Sequence, residues 1–141
     1  MTFTQTLNQT RMKKILFVCI ENSNRSQMAQ AFATIHGEGK AEIFSAGSKP
    51  SGKINPKAIE AMLEIGYDLS VHESKSLDEI PQIEYDVVVG MGCGDNCPHV
   101  ITKKRIEWDI PDPKNMDKGE FSEVRDLIER EVKNLLNKIS S

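Results

Sequence analysis

Residues 14–33 decide the fold, and they read KILFVCIENSNRSQMAQAFA. The apolar run at residues 14–18 predicts a buried strand, and the helix formers from Gln27 onward predict a helix. A strand that passes through a short loop into a helix makes an anion site, because unpaired backbone N–H groups and the helix dipole favour negative charge there. Cys19 begins this loop as a nucleophile, and Arg25 ends it as a bidentate clamp for an oxyanion. The positive surroundings favour the thiolate of Cys19, the reactive form.

The composition is that of a folded globular domain without a membrane span. The 141 residues are 38% hydrophobic and 28% charged, and no apolar run reaches the roughly 18 residues of a span. The formal net charge of -3 argues against general electrostatic binding of nucleic acid or membrane. Residues 1–12 lack the apolar segment of a secretion signal. We therefore expect a flexible extension over residues 1–12 and a single cytoplasmic domain over residues 13–141.

Strand and helix patterns alternate after the first loop. Predicted strands cover residues 41–47, 85–91 and 104–108, and predicted helices cover residues 26–36, 56–65 and 119–139. This alternation indicates an α/β fold with a mostly parallel sheet, whose ligands bind beyond the carboxyl ends of the strands. Three loops that follow predicted strands, residues 19–25, 92–98 and 109–113, are therefore expected to meet at one edge of the sheet.

The pattern around the first loop resembles a known family. Val18-Cys19, five residues, then Arg25-Ser26-Gln27-Met28-Ala29 is similar to the cradle of the low-molecular-weight protein tyrosine phosphatases. Within that superfamily it resembles the thioredoxin-coupled arsenate reductases, because the phosphatases usually carry proline where Gln27 stands. The resemblance runs from about Lys13 to the last helix. It implies a three-layer sandwich around a four-stranded parallel sheet with flavodoxin-like topology, and it implies arsenate reduction.

The loop and one later acid are the candidate catalytic groups. We expect the oxyanion to lie among the loop residues Ile20, Glu21, Asn22, Ser23, Asn24, Arg25 and Ser26. Ser26 can donate to the sulfur of Cys19, and Asn22 can brace the loop across its width. The resemblance assigns Asp112, which Pro113 follows, as the general acid that protonates the leaving oxygen, with Asp109 as the nearby alternative.

Two further cysteines separate the reductase interpretation from the phosphatase interpretation. A phosphatase needs only Cys19 and Asp112, whereas Cys93 and Cys97, four residues apart, permit sequential thiol–disulfide exchange. The resemblance implies that Cys93 attacks the Cys19–arsenic adduct and that arsenite leaves. Cys97 then moves the disulfide to the Cys93–Cys97 pair. An external dithiol, thioredoxin or a glutathione and glutaredoxin system, would reset the enzyme without a bound cofactor.

Other interpretations stay open at this point. A low-molecular-weight phosphatase would hydrolyse phosphotyrosine or a small phosphoester, although Lys114 and Asn115 stand where those enzymes commonly carry tyrosines. A non-catalytic oxyanion sensor is a third class. Cys93 and Cys97 could instead be inert cysteines without a redox role. They could also bind zinc together with His99, although no fourth ligand follows at the usual spacing.

Two departures from the reductases limit what the resemblance implies. Asn24 stands where many relatives have a second cysteine, and Gln30 stands where some have a glutamate that helps bind potassium. We therefore predict no metal site. The expected ligands are arsenate as substrate and phosphate and sulfate as competing oxyanions, and the expected oligomeric state is a monomer. His36 and His72 are expected to be exposed or capping side chains without a chemical role.

Overall fold

The computed structural model describes residues 12–92 and 100–140. Within these residues, four strands form one parallel sheet in the order β2-β1-β3-β4. They are β1 (Lys13–Cys19), β2 (Ala41–Gly47), β3 (Tyr85–Gly90) and β4 (Thr102–Glu107). The α-helices of the described part are α1 (Arg25–His36), α2 (Pro56–Leu63) and α3 (Lys118–Ser140). The predicted α/β fold with a four-stranded parallel sheet is confirmed.

The boundaries of the elements follow local sequence chemistry. The side chain of Asn55 caps α2 by accepting from the backbone N–H of Lys57, and Pro56 occupies the first turn. Helix α2 ends at Leu63, two residues before the predicted end, and Gly66 completes the turn that follows with a φ of 86°. The predicted N-terminal extension lies outside the described residues except for its last position. The predicted loop at residues 92–98, which contains the second and third cysteines, also lies outside them except for Gly92.

The sheet buries both of its faces. One face carries Ile15, Phe17 and Val89, and all three helices pack against it in the larger hydrophobic core. The opposite face carries alternate residues, including Leu16 and Val18. In the described part of the chain, that second face is covered by side chains in and around a 3-10 turn at residues 77–79 rather than by an α-helix. Within that part, no helix combines the length and the apolar character that crossing a membrane requires.

The order of the strands creates a crevice at the end of β1. Strand β1 lies between β2 and β3, so the chain leaves it towards one side of the sheet and later returns on the other side. In open parallel sheets, this change of direction opens a crevice beyond the carboxyl ends of the strands. Cys19, the last residue of β1, lies at that crevice.

Gly47 ends β2 directly against the loop that follows β1. A Cβ at residue 47 would lie 2.5 Å from the carbonyl oxygen of Ile20 and 3.0 Å from the backbone nitrogen of Asn22. We expect Gly47→Ala to lower the free energy of unfolding by about 1–3 kcal/mol, because an added methyl group forces packed backbone apart. Urea unfolding measures this change.

Gly119, in the first turn of α3, provides the matched control. The nearest atom to a Cβ at residue 119 is a carboxylate oxygen of Asp117 at 3.6 Å, which is ordinary contact. Gly119→Ala should therefore raise the free energy of unfolding by about 0.5–1 kcal/mol, since alanine loses less backbone entropy in a helix. A Gly47→Ala protein as stable as Gly119→Ala would contradict the close packing at the end of β2.

Candidate active site

The loop between β1 and α1 curls around the sulfur of Cys19. The backbone N–H of Asn22 donates to this sulfur at 3.3 Å, and the hydroxyl oxygen of Ser26 lies 2.8 Å from it. That hydroxyl oxygen also accepts from the side-chain amide of Asn22 at 2.8 Å, which leaves its own proton free to point at the sulfur. Cys19 is buried. The nucleophile predicted from sequence thus lies inside a loop whose donors face it.

Asn22 holds the loop in shape. Its backbone is in the left-handed region with a φ of 52°, and its side chain is fully buried. The amide nitrogen donates to Ser26 and to the hydroxyl of Ser45 at 3.1 Å. The amide oxygen accepts from the side chain of Gln27 and from the backbone N–H of Lys75, each at 2.8 Å. The brace expected from sequence is therefore present, and it joins the loop to β2 and to the segment before β3.

A second layer of polar contacts supports Asn22 from behind. Gln27 donates to the backbone oxygens of Asn22 and Glu73, and its own side-chain oxygen lies 2.9 Å from Nδ1 of His72. The other ring nitrogen of His72 contacts the hydroxyl of Tyr67. Burial lowers the pKa of His72, and the positive charge of Lys75 adds to the effect. His72 is therefore a neutral, bonded member of the support and not an exposed side chain.

Sequence reasoning missed this second layer. The partners Gln27 and His72 are 45 residues apart in the chain, and a single sequence carries no signal of such a contact. The sequence signal at Gln27-Met28 is its resemblance to the reductases, which says nothing about His72. His36, the other histidine expected to be exposed or capping, is partly buried and pairs with Glu129 at 2.9 Å.

The guanidinium of Arg25 faces the loop from its far end. Arg25 is only 6% exposed. Nη1 donates to the backbone oxygen of Ile110 at 3.1 Å, and Nη2 lies 3.7 Å from a carboxylate oxygen of Asp112. Nε is buried and has no hydrogen-bond partner among the described residues. Buried donors are nearly always paired in native proteins, so this N–H marks the place of a missing acceptor, as an anion would provide.

Side chains from the loop after β1 and from residues 112 and 114 enclose a small cleft of about 50 Å³. It is lined by Cys19, Ile20, Glu21, Ser23, Asn24, Arg25, Asp112 and Lys114. Asn22 and Ser26, which sequence analysis also placed around the oxyanion, are buried behind this lining and act on the sulfur from there. Asp112 is about half exposed, whereas the alternative acid Asp109 does not line the cleft. None of the described lining residues is aromatic.

Cys93, Cys97 and His99 lie outside the described residues, so the structure places neither the predicted relay nor the alternative zinc site. Gly92, which precedes Cys93 in the chain, is described. A methyl group at this position would collide with the guanidinium of Arg25. Within residues 12–92 and 100–140, no three His, Cys, Asp or Glu side chains cluster as metal ligands would.

Comparison with known proteins identifies the class. The family model of the low molecular weight phosphotyrosine protein phosphatases matches residues 14–141, and the chain belongs to this family. Within the family it is similar to arsenate reductases, as the sequence predicted. The glutaredoxin arsenate reductase of Synechocystis sp. is 39% identical over 132 residues, which cover 92% of this chain and 100% of the relative.

Solved structures agree with this assignment. An arsenate reductase in the phosphate binding state superposes with a TM-score of 0.83 at 39% identity, covering 91% of this chain and 99% of that chain. The thioredoxin-dependent arsenate reductase of Corynebacterium glutamicum superposes with a TM-score of 0.76 at 28% identity, covering 96% of this chain and 66% of that chain. The phosphatase alternative is accordingly less favoured.

Substitution of Asn22 tests the brace. Asn22→Gly retains the positive φ but removes the side-chain acceptor of the backbone N–H of Lys75 and one of the three acceptors of the Gln27 side chain. We expect it to lower the free energy of unfolding by about 1–3 kcal/mol in urea titrations. Asn22→Ala should cost about 1 kcal/mol more, because a Cβ is unfavourable at positive φ. Unchanged stability of the glycine variant would show that the side-chain contacts carry no weight.

Acid stability tests the state of His72. Because its pKa is lowered in the folded protein, the unfolded chain binds the proton first as the pH falls. Stability should therefore decline as the pH drops below the ordinary histidine value of 6.5 and level off below the folded pKa. His72→Gln should flatten this decline in urea titrations between about pH 7 and pH 5. His36→Gln is the control and should keep it.

Proposed function

We propose that this protein reduces arsenate to arsenite, with Cys19 as the nucleophile. The observation that carries the proposal is that Cys19 and Arg25 line one cleft of about 50 Å³, and that Nε of Arg25 is buried without a partner among the described residues. A tetrahedral oxyanion supplies the acceptor that this donor lacks, and it places its central atom next to the sulfur. The relatives that match over nearly the whole chain carry arsenate reductase in their names, which favours arsenic as that atom.

The first step is nucleophilic attack on arsenic. The Cys19 sulfur forms a bond to As(V), and one arsenate oxygen leaves as water. Asp112 supplies the proton to that oxygen, and its position 3.7 Å from Arg25 on the rim of the cleft supports this role. Arg25 and the backbone N–H groups of the loop stabilise the negative charge that builds up on the remaining oxygens. The same contacts would accept phosphate or sulfate as competing anions.

The second step reduces arsenic. The Cys93 thiolate attacks the Cys19 sulfur, a Cys19–Cys93 disulfide forms, and the electron pair of the sulfur–arsenic bond stays on arsenic, which leaves as As(III) arsenite. Cys97 then attacks Cys93 and releases the Cys19 thiolate. Gly92, the last described residue before Cys93, lies beside the guanidinium of Arg25.

An external dithiol then reduces the Cys93–Cys97 disulfide. One relative is named for glutaredoxin and another for thioredoxin, and we propose that the donor belongs to one of these two classes. The cycle needs all three thiols reduced at its start, which a reducing cytoplasm provides. Arsenite release with purified thioredoxin and thioredoxin reductase, measured beside release with glutathione and glutaredoxin, distinguishes the two donors.

Two single variants test the relay. Cys93→Ser should bind arsenate and stop at the Cys19 adduct, so that no arsenite is released. Cys97→Ser should release one arsenite per protein and stop with a Cys19–Cys93 disulfide, because the next thiol is missing. Arsenite assay and mass spectrometry under non-reducing conditions measure both results. Steady arsenite release by Cys93→Ser with thioredoxin would falsify the relay.

The unaltered protein and an aryl phosphate complete the test. After one arsenate turnover without reductant, the disulfide should join Cys93 and Cys97 and leave Cys19 free. Hydrolysis of the aryl phosphate should be slow relative to arsenate reduction, because none of the described residues that line the cleft is aromatic. Faster hydrolysis than reduction would favour the phosphatase instead.

A further inference from the structure

A salt bridge joins the two loops that line the cleft. The ammonium of Lys114 lies 2.9 Å from a carboxylate oxygen of Glu21. Glu21 belongs to the loop that surrounds the Cys19 sulfur, and Lys114 follows Asp112 and Pro113 on the other side. The two residues are 93 positions apart in the chain, so only the fold brings them together.

Backbone contacts hold both ends of this bridge in place. The backbone oxygen of Glu21 accepts from the N–H of Ser51 at 3.1 Å and from the hydroxyl of Ser74 at 3.0 Å. The backbone N–H of Lys114 donates to Asp112 at 3.1 Å. The backbone oxygen of Lys114 accepts from the ammonium of Lys57 at 3.4 Å. The two long side chains therefore span a gap between anchored segments.

The charges of the pair bear on anion binding. An unpaired carboxylate on the rim of an anion site repels the ligand, and Lys114 neutralises Glu21. The hydrogen bond and charge of Glu21, together with the nearby charge of Asp112, raise the pKa of Lys114, so the ammonium stays charged. The pair is partly exposed, and exposed ion pairs contribute little to folding stability. Its position suggests a role at the cleft instead.

We propose that the Glu21–Lys114 bridge closes the mouth of the cleft and selects inorganic oxyanions against organic phosphate esters. A free tetrahedral anion sits beneath the bridge against Cys19 and Arg25. An ester must carry its organic group outward through the space that the two side chains occupy. The inference rests on the proposed function, whose substrate is an inorganic anion.

A double variant isolates the steric part of this role. Glu21→Ala with Lys114→Ala removes the bridge and leaves the net charge at the mouth unchanged. Protection of Cys19 from alkylation, followed by mass spectrometry of its peptide in the full chain, gives dissociation constants for inorganic phosphate and for phenylphosphonate. The ratio of phenylphosphonate to phosphate dissociation constants should fall by about tenfold in the double variant.

A second salt bridge provides the matched control. The ammonium of Lys118 lies 2.9 Å from a carboxylate oxygen of Glu60, and both side chains are exposed away from the cleft. Glu60→Ala with Lys118→Ala should leave the ratio at the wild-type value. A ratio that stays within about twofold of wild type after removal of the Glu21–Lys114 bridge overturns the proposal.

The single variants test the electrostatic part. Lys114→Ala leaves the carboxylate of Glu21 uncompensated and should weaken phosphate binding several-fold, whereas Glu21→Ala removes the repelling charge, leaves the ammonium of Lys114, and should strengthen it. If Glu21→Ala binds phosphate more weakly than Lys114→Ala does, Lys114 does not compensate the charge of Glu21 and this part of the proposal is overturned. If phosphate does not protect Cys19 in the unaltered protein, both the oxyanion site and the bridge proposal fail. If phosphate protects and the ratio responds while no arsenite forms, only the proposed function fails.

Discussion

The site depends on one buried side chain held in a left-handed backbone conformation. Asn22 has a φ of 52° and is fully buried, and its amide bonds to the hydroxyls of Ser26 and Ser45 and to the backbone N–H of Lys75. Asparagine tolerates this conformation better than most residues with a Cβ, because its short polar side chain bonds locally. The reversal at Asn22 lies between Cys19 and Arg25, which line the same cleft.

The polar groups of the cleft are held in place by their own hydrogen bonds. Asn22 and Gln27 each make several buried hydrogen bonds that fix the loop. Nε of Arg25 is buried without a partner among the described residues. The groups that would meet the anion therefore need little rearrangement when it binds, which is the basis of preorganised electrostatic stabilisation.

Most of the elements could be predicted from the sequence because their signals are local. The apolar run of β1, the proline and cap of α2, and the helical period of α3 each depend on neighbouring residues. The covering of the second sheet face was not predicted, since it depends on how the segment around residues 77–80 packs. The partners of His72 and the Glu21–Lys114 bridge were missed for the same reason, because they join distant parts of the chain.

By itself, the sequence determined which chemical groups are available: a thiol and an arginine six positions apart at the end of a strand, an acid before a proline, and two further thiols. Spacing along one loop is a local property, so Cys19 and Arg25 could be assigned together. Only the tertiary structure decided that Asp112 rather than Asp109 lines the cleft and that Lys114 pairs with Glu21. Those choices depend on the parallel sheet, which brings loops from distant sequence positions to one edge and sets the distances between their side chains.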